Sequence, residues 1–509
     1  MTLEDAPAAV SKAEAAEQHA LLRLECALDP GEGVRALLRH PLLAPHLPKP
    51  ARWRAETLTW FEVAELGEAA LLEQRRREPP LPVSCRPLRA VPCLPGTLPP
   101  PPAWDAPGQV PPRALAAFVG RKIGFVAQGV ELEVVQGRLR AVAGEALAAR
   151  VWLRGPPADV IGLAARLAEA LPLLPAAVPL AEAARAIALG QPPRVRRQGA
   201  PELGEAATVE EGLLAAAPHL LDVLLAETPA ARLGAGPRGV HQSRVAIRRL
   251  RSVVRLFRPL TDGPAMRDWD AALSAVARAL GEARDWDVFQ AGTAQPLRRA
   301  LGAEASLAKL ERAARARQEA AYAALAALLA GPEFRAAMWR GMAVCALRPY
   351  AEPASDAPGS AVARVAALAG PLRPFAAVVL QRRWRRLRKA GRNIEELPPV
   401  ALHELRLDVK RLRYASELFG PLWGGKAPGR FLRCLADVQE ALGLANDAEV
   451  ARGLSGGLTG VPPFAAGAVA GFSAGRAEGS REEALLHWAA LLEVPRFWKG
   501  DLPRQEAQT

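Results

Sequence analysis

The residues best equipped for chemistry are cations set at helical spacing. In "HQSRVAIRRLRSVVRLF", residues 241–257, an advance of about 100° per residue places His241, Arg244, Arg248, Arg251 and Arg255 in one sector, while Ile247, Leu250, Val254 and Phe257 point away from it. Like charges at these spacings repel by about a few tenths of a kcal/mol per pair, so local helix stability does not explain the crowding. An anionic partner does. The planar guanidinium group suits bidentate recognition of phosphate or carboxylate, without covalent chemistry.

The pattern recurs as "HELRLDVKRLRYASELF", pairing His241 with His403, Arg244 with Arg406, Arg248 with Lys410, Arg249 with Arg411 and Arg251 with Arg413. Downstream, "ALGEARDWDV" and "ALGLANDAEV" align Asp285 with Asp447 and Asp287 with Glu449. Both motif pairs are separated by 162 residues, which implies a duplicated helical unit whose halves turn their cationic helices toward a shared groove. A competing reading leaves the arginines on a solvated face or neutralised by Asp285 and Asp447. A mixed arrangement has those carboxylates orient some guanidinium groups while others reach a ligand.

His241 and His403 stand in the first turn of each cationic face as hydrogen-bond donors or as capping and packing residues. No close-spaced set of His, Cys and carboxylate ligands accompanies them, so no metal or other cofactor is expected. Asp285 and Asp287 follow a glycine and read as caps or ion-pair partners rather than paired catalytic acids. "QRRWRRLRKAGRN", 381–393, carries arginines on most faces of one helix and adds to the positive field near His403.

The chain that must position these groups has 509 residues, 66 Lys and Arg against 53 Asp and Glu, and a net charge of +13, which favours a polyanionic partner. Its five cysteines, Cys26, Cys85, Cys93, Cys345 and Cys434, form no CxxC pair, which argues against a zinc site or a disulfide framework and for a reducing cytoplasm. The first twenty residues lack a basic segment followed by an apolar core, and no uninterrupted apolar run of about 18 residues occurs, so neither export nor membrane insertion is expected.

Residues 1–190 are expected to be α+β. "LLRLECALDP", "TLTWFEVAE", "GVELEVVQGRLRAVAG" and "LAARVWLRG" read as strands, and "VIGLAARLAEAL" as a helix. A Pro-rich insertion occupies 77–113 and a linker 191–205. From there the pattern is all-α: a helical half over 206–350, a linker over 351–360, a second half over 361–500 and a tail over 501–509.

The twice-present pairing of H-x-x-R-x-x-[IV]-[RK]-R-L-R with L-G-x-x-x-D-x-[DE]-V resembles the CHAD family, over roughly residues 206 to 500. The resemblance implies two helical-bundle halves binding inorganic polyphosphate through His241, Arg244, Arg248, Arg249, Arg251, His403, Arg406, Lys410, Arg411 and Arg413, with Asp285 and Asp447 as acidic partners; Arg255 joins them from its place on the cationic sector. Residues 1–190 are similar to the CYTH or triphosphate-tunnel family, through "LRLECALDPGEGVRALLRHPLL" and "AARLAEALPLLPAAVPLAEAARAIALG". That family's E-x-E-x-K opening falls here on Leu21, Arg23 and Glu25, and its late S-K motif on Pro179 and Leu180. A degenerate tunnel-like β-barrel without catalytic residues is therefore expected. The expected function is non-catalytic polyphosphate binding, in the cytoplasm and at polyphosphate granules. A CYTH-type triphosphatase and a nucleic-acid binder are the alternatives; the cationic faces carry no interleaved aromatics on which bases could stack.

Overall fold

A computed structural model describes residues 21–63, 70–84, 93–97, 114–232, 236–302, 304–351 and 358–503. Most of the Pro-rich stretch 77–113 and part of the 351–360 linker lie outside the described residues.

The N-terminal part is an antiparallel sheet curled into a half-barrel, in the order β4-β3-β2-β5-β6-β7-β1-β8. In chain order its elements are β1 (Leu22–Leu28), α1 (Glu32–Arg39), β2 (Arg54–Phe61), β3 (Ala70–Arg75), β4 (Leu81–Ser84), β5 (Ala116–Ala127), β6 (Val130–Ala141), β7 (Gly144–Gly155), α2 (Pro157–Ala170), β8 (Leu174–Pro175) and α3 (Leu180–Leu189). Strand alternation divides the two faces. Leu24 and Cys26 of β1 bury against Val34 and Leu37 of α1 and Val160, Leu163 and Leu167 of α2, leaving Arg23 and Glu25 on the concave face. There α3 seals one end, its Leu180, Ala181 and Ala184 packing on Leu58, Trp60, Phe118 and Leu139. The curl depends on Gly120 and Gly137, paired across β5 and β6: a Cβ on Gly120 would lie 2.3 Å from the Gln136 carbonyl oxygen.

The four strand runs and the helix read from the sequence are present as β1, β2, β6, β7 and α2. Four further strands, β3, β4, β5 and β8, were not among them. β5 has Gly120, Lys122 and Gly124 on its concave face, which breaks the apolar alternation, and β4 falls inside the stretch expected to be an insertion.

Residues 191–205 differ from a free linker. Arg196 and Arg197 are buried, and they join sheet to helices: Arg196 donates to Ala176 O at 2.9 Å, Thr97 O at 2.8 Å and Asp222 Oδ1 at 2.8 Å, while Arg197 lies 3.4 Å from Asp222 Oδ2. Desolvating three charges is costly unless each is matched, and here two guanidinium groups and backbone carbonyls match one carboxylate.

The helical part comprises α4 (Val209–Arg232), α5 (Pro237–Thr261), α6 (Pro264–Phe289), α7 (Gln295–Leu301), α8 (Ala305–Ala330), α9 (Pro332–Leu347), α10 (Pro358–Leu368), α11 (Leu372–Ala390), α12 (Pro399–Phe419), α13 (Ala427–Gly456) and α14 (Pro463–Glu493). Proline at the first turn starts α5, α6, α9, α12, α13 and α14, where its missing N–H costs nothing. The sheet and helices also share apolar contacts: Trp339 and Met342 of α9 enter the core beneath α2, and the Trp339 indole donates to Leu173 O at 3.0 Å. The duplicated halves meet at their equivalent residues Phe257 and Phe419, ring centroids 6.0 Å apart.

Candidate anion-binding groove

α5 is fixed by its apolar face. Val240, Ile247, Leu250, Val254 and Phe257 are buried, and Gly239 lets α4 approach so closely that a Cβ there would lie 2.7 Å from the Ala230 backbone. α12 is held in the same way by Leu405, Val409, Leu412 and Phe419. Burying these faces leaves the cationic sectors of both helices facing one cavity of about 530 Å³.

Its walls carry His241, Arg244 and Arg248 from α5, His403, Arg406 and Lys410 from α12, Arg284 and Asp285 from α6, Asp447 from α13 and Arg476 from α14. Six Lys or Arg side chains thus face two carboxylates. The carboxylates occupy equivalent places: Arg244 lies 3.5 Å from Asp285, and Arg406 lies 3.8 Å from Asp447. Those long contacts leave capacity on the guanidinium groups. The Nε atoms of Arg248 and Arg406 are buried and have no hydrogen-bond partner among the described residues, a state that costs energy until an acceptor arrives. Arg248 also stacks over the Tyr414 ring at 5.6 Å, which fixes its direction.

Electrostatics follow from this packing. Burial, then the neighbouring Arg406, Arg248 and Arg244, pushes the Lys410 ammonium down to about 7. Burial and then Arg284, Arg248 and Arg244 lower His241. Asp285 is raised, chiefly by burial, with Arg244 opposing and Asp447 adding to the shift. Each shift marks a site short of negative charge or water, and a bound anion would relieve the cationic ones.

The remaining sequence-selected cations stand outside this cavity's lining. Arg249 and Arg413 share Glu417, at 3.3 and 3.0 Å. Arg251 and Arg255 share Asp270, at 3.0 and 3.6 Å. Arg411 meets Asp408 at 2.6 Å. One angular sector runs the length of a helix, whereas the cavity spans only its first half. Asp287 accepts from Gln318 at 2.8 Å and Tyr322 at 3.0 Å within the helical core, while its counterpart Glu449 pairs with Arg452 at the surface.

Two lining cations were missed in the sequence reading. Arg284 sits inside the quoted motif "ALGEARDWDV", and Arg476 donates to Gly292 O at 2.7 Å from α14, an element whose place beside the groove no local pattern announces.

The half-barrel's concave face holds a second charged cavity, of about 720 Å³. Of the cations that line it, Arg75 and Arg154 are paired, Arg154 lying 3.6 Å from Glu131, and beside it on the concave face Lys122 and Arg150 are paired as well. Lys122 Nζ lies 2.7 Å from Glu56 and 3.5 Å from Glu133, Arg75 lies 2.8 Å from Glu133, and Arg150 lies 2.9 Å from Glu25. Glu25 also accepts the Leu180 N–H at 2.9 Å. A divalent metal held in the manner of the triphosphate-tunnel family needs converging carboxylates, but the positions are Leu21, Arg23 and a Glu25 already bound to Arg150 and Leu180. The residues do not fit that metal. Among the described residues no group of three or more His, Cys, Asp and Glu side chains could hold an ion, and no helix is long and apolar enough to cross a membrane.

Fold and site together define a duplicated helical domain with a cationic groove between its halves, carried behind a half-barrel sheet. Residues 215–455 match the CHAD domain family model, and this helical region is a CHAD domain. The chain is similar to the crystal structure of the CHAD domain from the plant Ricinus communis, with 27% identity over 59% of this chain and 96% of that one and a TM-score of 0.48. It is also similar to PptA from Streptomyces chartreusis, with 19% identity over 56% of this chain and 100% of that one and a TM-score of 0.41. No curated protein matches it.

Proposed function

We propose that the protein binds inorganic polyphosphate in the groove and catalyses no reaction on it. The observation that carries the reading is the excess of cations supplied by equivalent positions on α5 and α12, with two guanidinium Nε atoms that find no acceptor among the described residues. A linear polyanion with two acceptor oxygens per phosphate suits such a wall, because successive phosphates can take bidentate hydrogen bonds from successive guanidinium groups. The matched charges of the half-barrel support a structural role for that domain rather than triphosphate cleavage. The reading extends to a cytoplasmic protein at polyphosphate granules, checked by co-localisation of the tagged protein with stained granules.

The test is titration of purified protein with long-chain polyphosphate, with duplex DNA and tripolyphosphate as competitors. Saturable binding that DNA fails to displace at equal phosphate concentration is expected. Preferential displacement by DNA, or phosphate release from tripolyphosphate with magnesium that Glu25→Gln abolishes, would overturn the reading.

A further inference from the structure

The duplication allows α4 and α11 to be compared position by position. Leu220, Leu221 and Leu224 of α4 are buried, and the residues 162 places later are Arg382, Arg383 and Arg386. In the first half α9 covers this face, with Gly341 so near that its Cβ would lie 3.0 Å from Leu221 Cδ1. In the second half the described residues after α14 form only a 3-10 turn, Lys499–Asp501, with no helix in the place of α9. Where leucine packs against a helix in the first half, arginine stands in the second.

Those arginines converge with others from α5 and α12. Arg383 Nη1 donates to Arg411 O at 3.0 Å, while Arg386 and Arg411 both reach Asp408, at 2.9 and 2.6 Å. Burial, then Arg411, lowers Arg383 to about 10, and Arg386 and Arg255 push the same way while Asp408 opposes. Arg386 and Arg411 thus meet at Asp408 with Arg383 beside them, and Arg255, itself 3.6 Å from Asp270, acts on Arg383, so four guanidinium groups from three helices gather around two carboxylates. The charge continues to the groove, since Arg413 and Arg249, which flank Glu417, both act on Arg248.

We infer that Arg255, Arg383, Arg386 and Arg411 form a second anion subsite, outside the groove, that takes the continuation of a linear polyphosphate chain. The inference rests on the proposed function of the groove. From Arg244 to Arg255 the helix rises roughly 16 Å, so a tripolyphosphate held in the groove falls short of the subsite while a long chain spans both. Linking the sites on one ligand makes the second contact intramolecular, and affinity then grows with chain length.

The test compares wild type with an Arg255→Gln/Arg386→Gln double variant, both positions being about half or more exposed so that folding is preserved, against tripolyphosphate and long-chain polyphosphate. Unchanged tripolyphosphate affinity is expected, with long-chain affinity roughly tenfold weaker and a salt dependence shallower by about two counterions. The charge-preserving Arg386→Lys variant should retain most long-chain affinity. Equal weakening for both ligands, or none for either, would overturn the subsite while leaving the groove reading standing. A wild type that binds neither ligand removes the groove reading itself, and the subsite with it.

Discussion

The groove and the half-barrel are two charged concavities of similar size in one chain, and they differ in how their charges are matched. In the half-barrel Glu56 and Glu25 each meet a cation from a neighbouring strand, and Glu133 meets Arg75 from across the sheet. In the groove six cations line a wall with two carboxylates, Asp285 and Asp447, which lie 3.5 and 3.8 Å from Arg244 and Arg406, while Arg284 lies 3.8 Å from Asp287 outside the lining. A charged wall is an anion site only where its cations exceed what the protein itself supplies, so the count that matters is of unmatched groups.

The sharpest way to break that comparison is to reverse charge where the excess lies. Arg248→Glu with Arg406→Glu should abolish polyphosphate binding. Each lost charged hydrogen bond is worth roughly 1.5–3 kcal/mol, before repulsion is added. The fold should persist, because Ile247, Leu250, Leu405 and Val409 are untouched; circular dichroism and isothermal titration on one sample would show both.

The mirror experiment in the half-barrel should have the opposite signature. Lys122→Ala leaves Glu56, whose side chain is fully buried, without its 2.7 Å partner, and removing one member of a buried pair costs about 3–5 kcal/mol. Denaturant unfolding should register that loss while polyphosphate affinity stays at the wild-type value. A loss of binding without a loss of stability would mean that the half-barrel, too, contributes cations to the ligand.

How much of this could be read from the sequence divides along the same line. The groove's His241, Arg244, Arg248, His403, Arg406 and Lys410, with Asp285 and Asp447, were legible because helical period and an exact repeat spacing place them without tertiary knowledge. Periodicity says which side of a helix a residue faces and not what packs opposite, so Arg251 and Arg255, on the same sector, stand at Asp270 outside the cavity. Arg476 was illegible for the converse reason: α14 joins the groove only through long-range packing. In the sheet, β5 hid because its concave face carries glycine and lysine where alternation calls for apolar residues.

A finer test concerns the two carboxylates within the groove. Asp285 and Asp447 compete with ligand for Arg244 and Arg406, and their side chains are more than a third exposed, so each contact is worth about 0–1 kcal/mol. Asp285→Asn with Asp447→Asn should tighten polyphosphate binding about fivefold. Weaker binding instead would show that the carboxylates orient the guanidinium groups rather than compete for them.

The smallest expected effect comes from Lys410, and its sign follows from the depressed ammonium. With a value near 7 in the folded groove, Lys410 loses its proton as pH rises through neutrality, and the groove loses one positive charge. A bound phosphate favours the charged form and lifts that value, so binding takes up protons above pH 7. Affinity should therefore fall by a few-fold between about pH 6 and pH 8.5, and calorimetry in buffers of different ionisation enthalpy should detect the uptake. Stability moves the other way: between about 7 and the ordinary lysine value the unfolded chain holds the proton that the fold excludes, so stability of the free protein rises with pH across that window. Lys410→Arg keeps its charge throughout and should flatten the affinity profile. His241, also lowered by burial and by Arg284, Arg248 and Arg244, titrates below the ordinary histidine range and leaves the alkaline limb to Lys410. A profile unchanged in Lys410→Arg would assign the proton to another group and make Lys410 a packed stem whose charge the ligand does not feel.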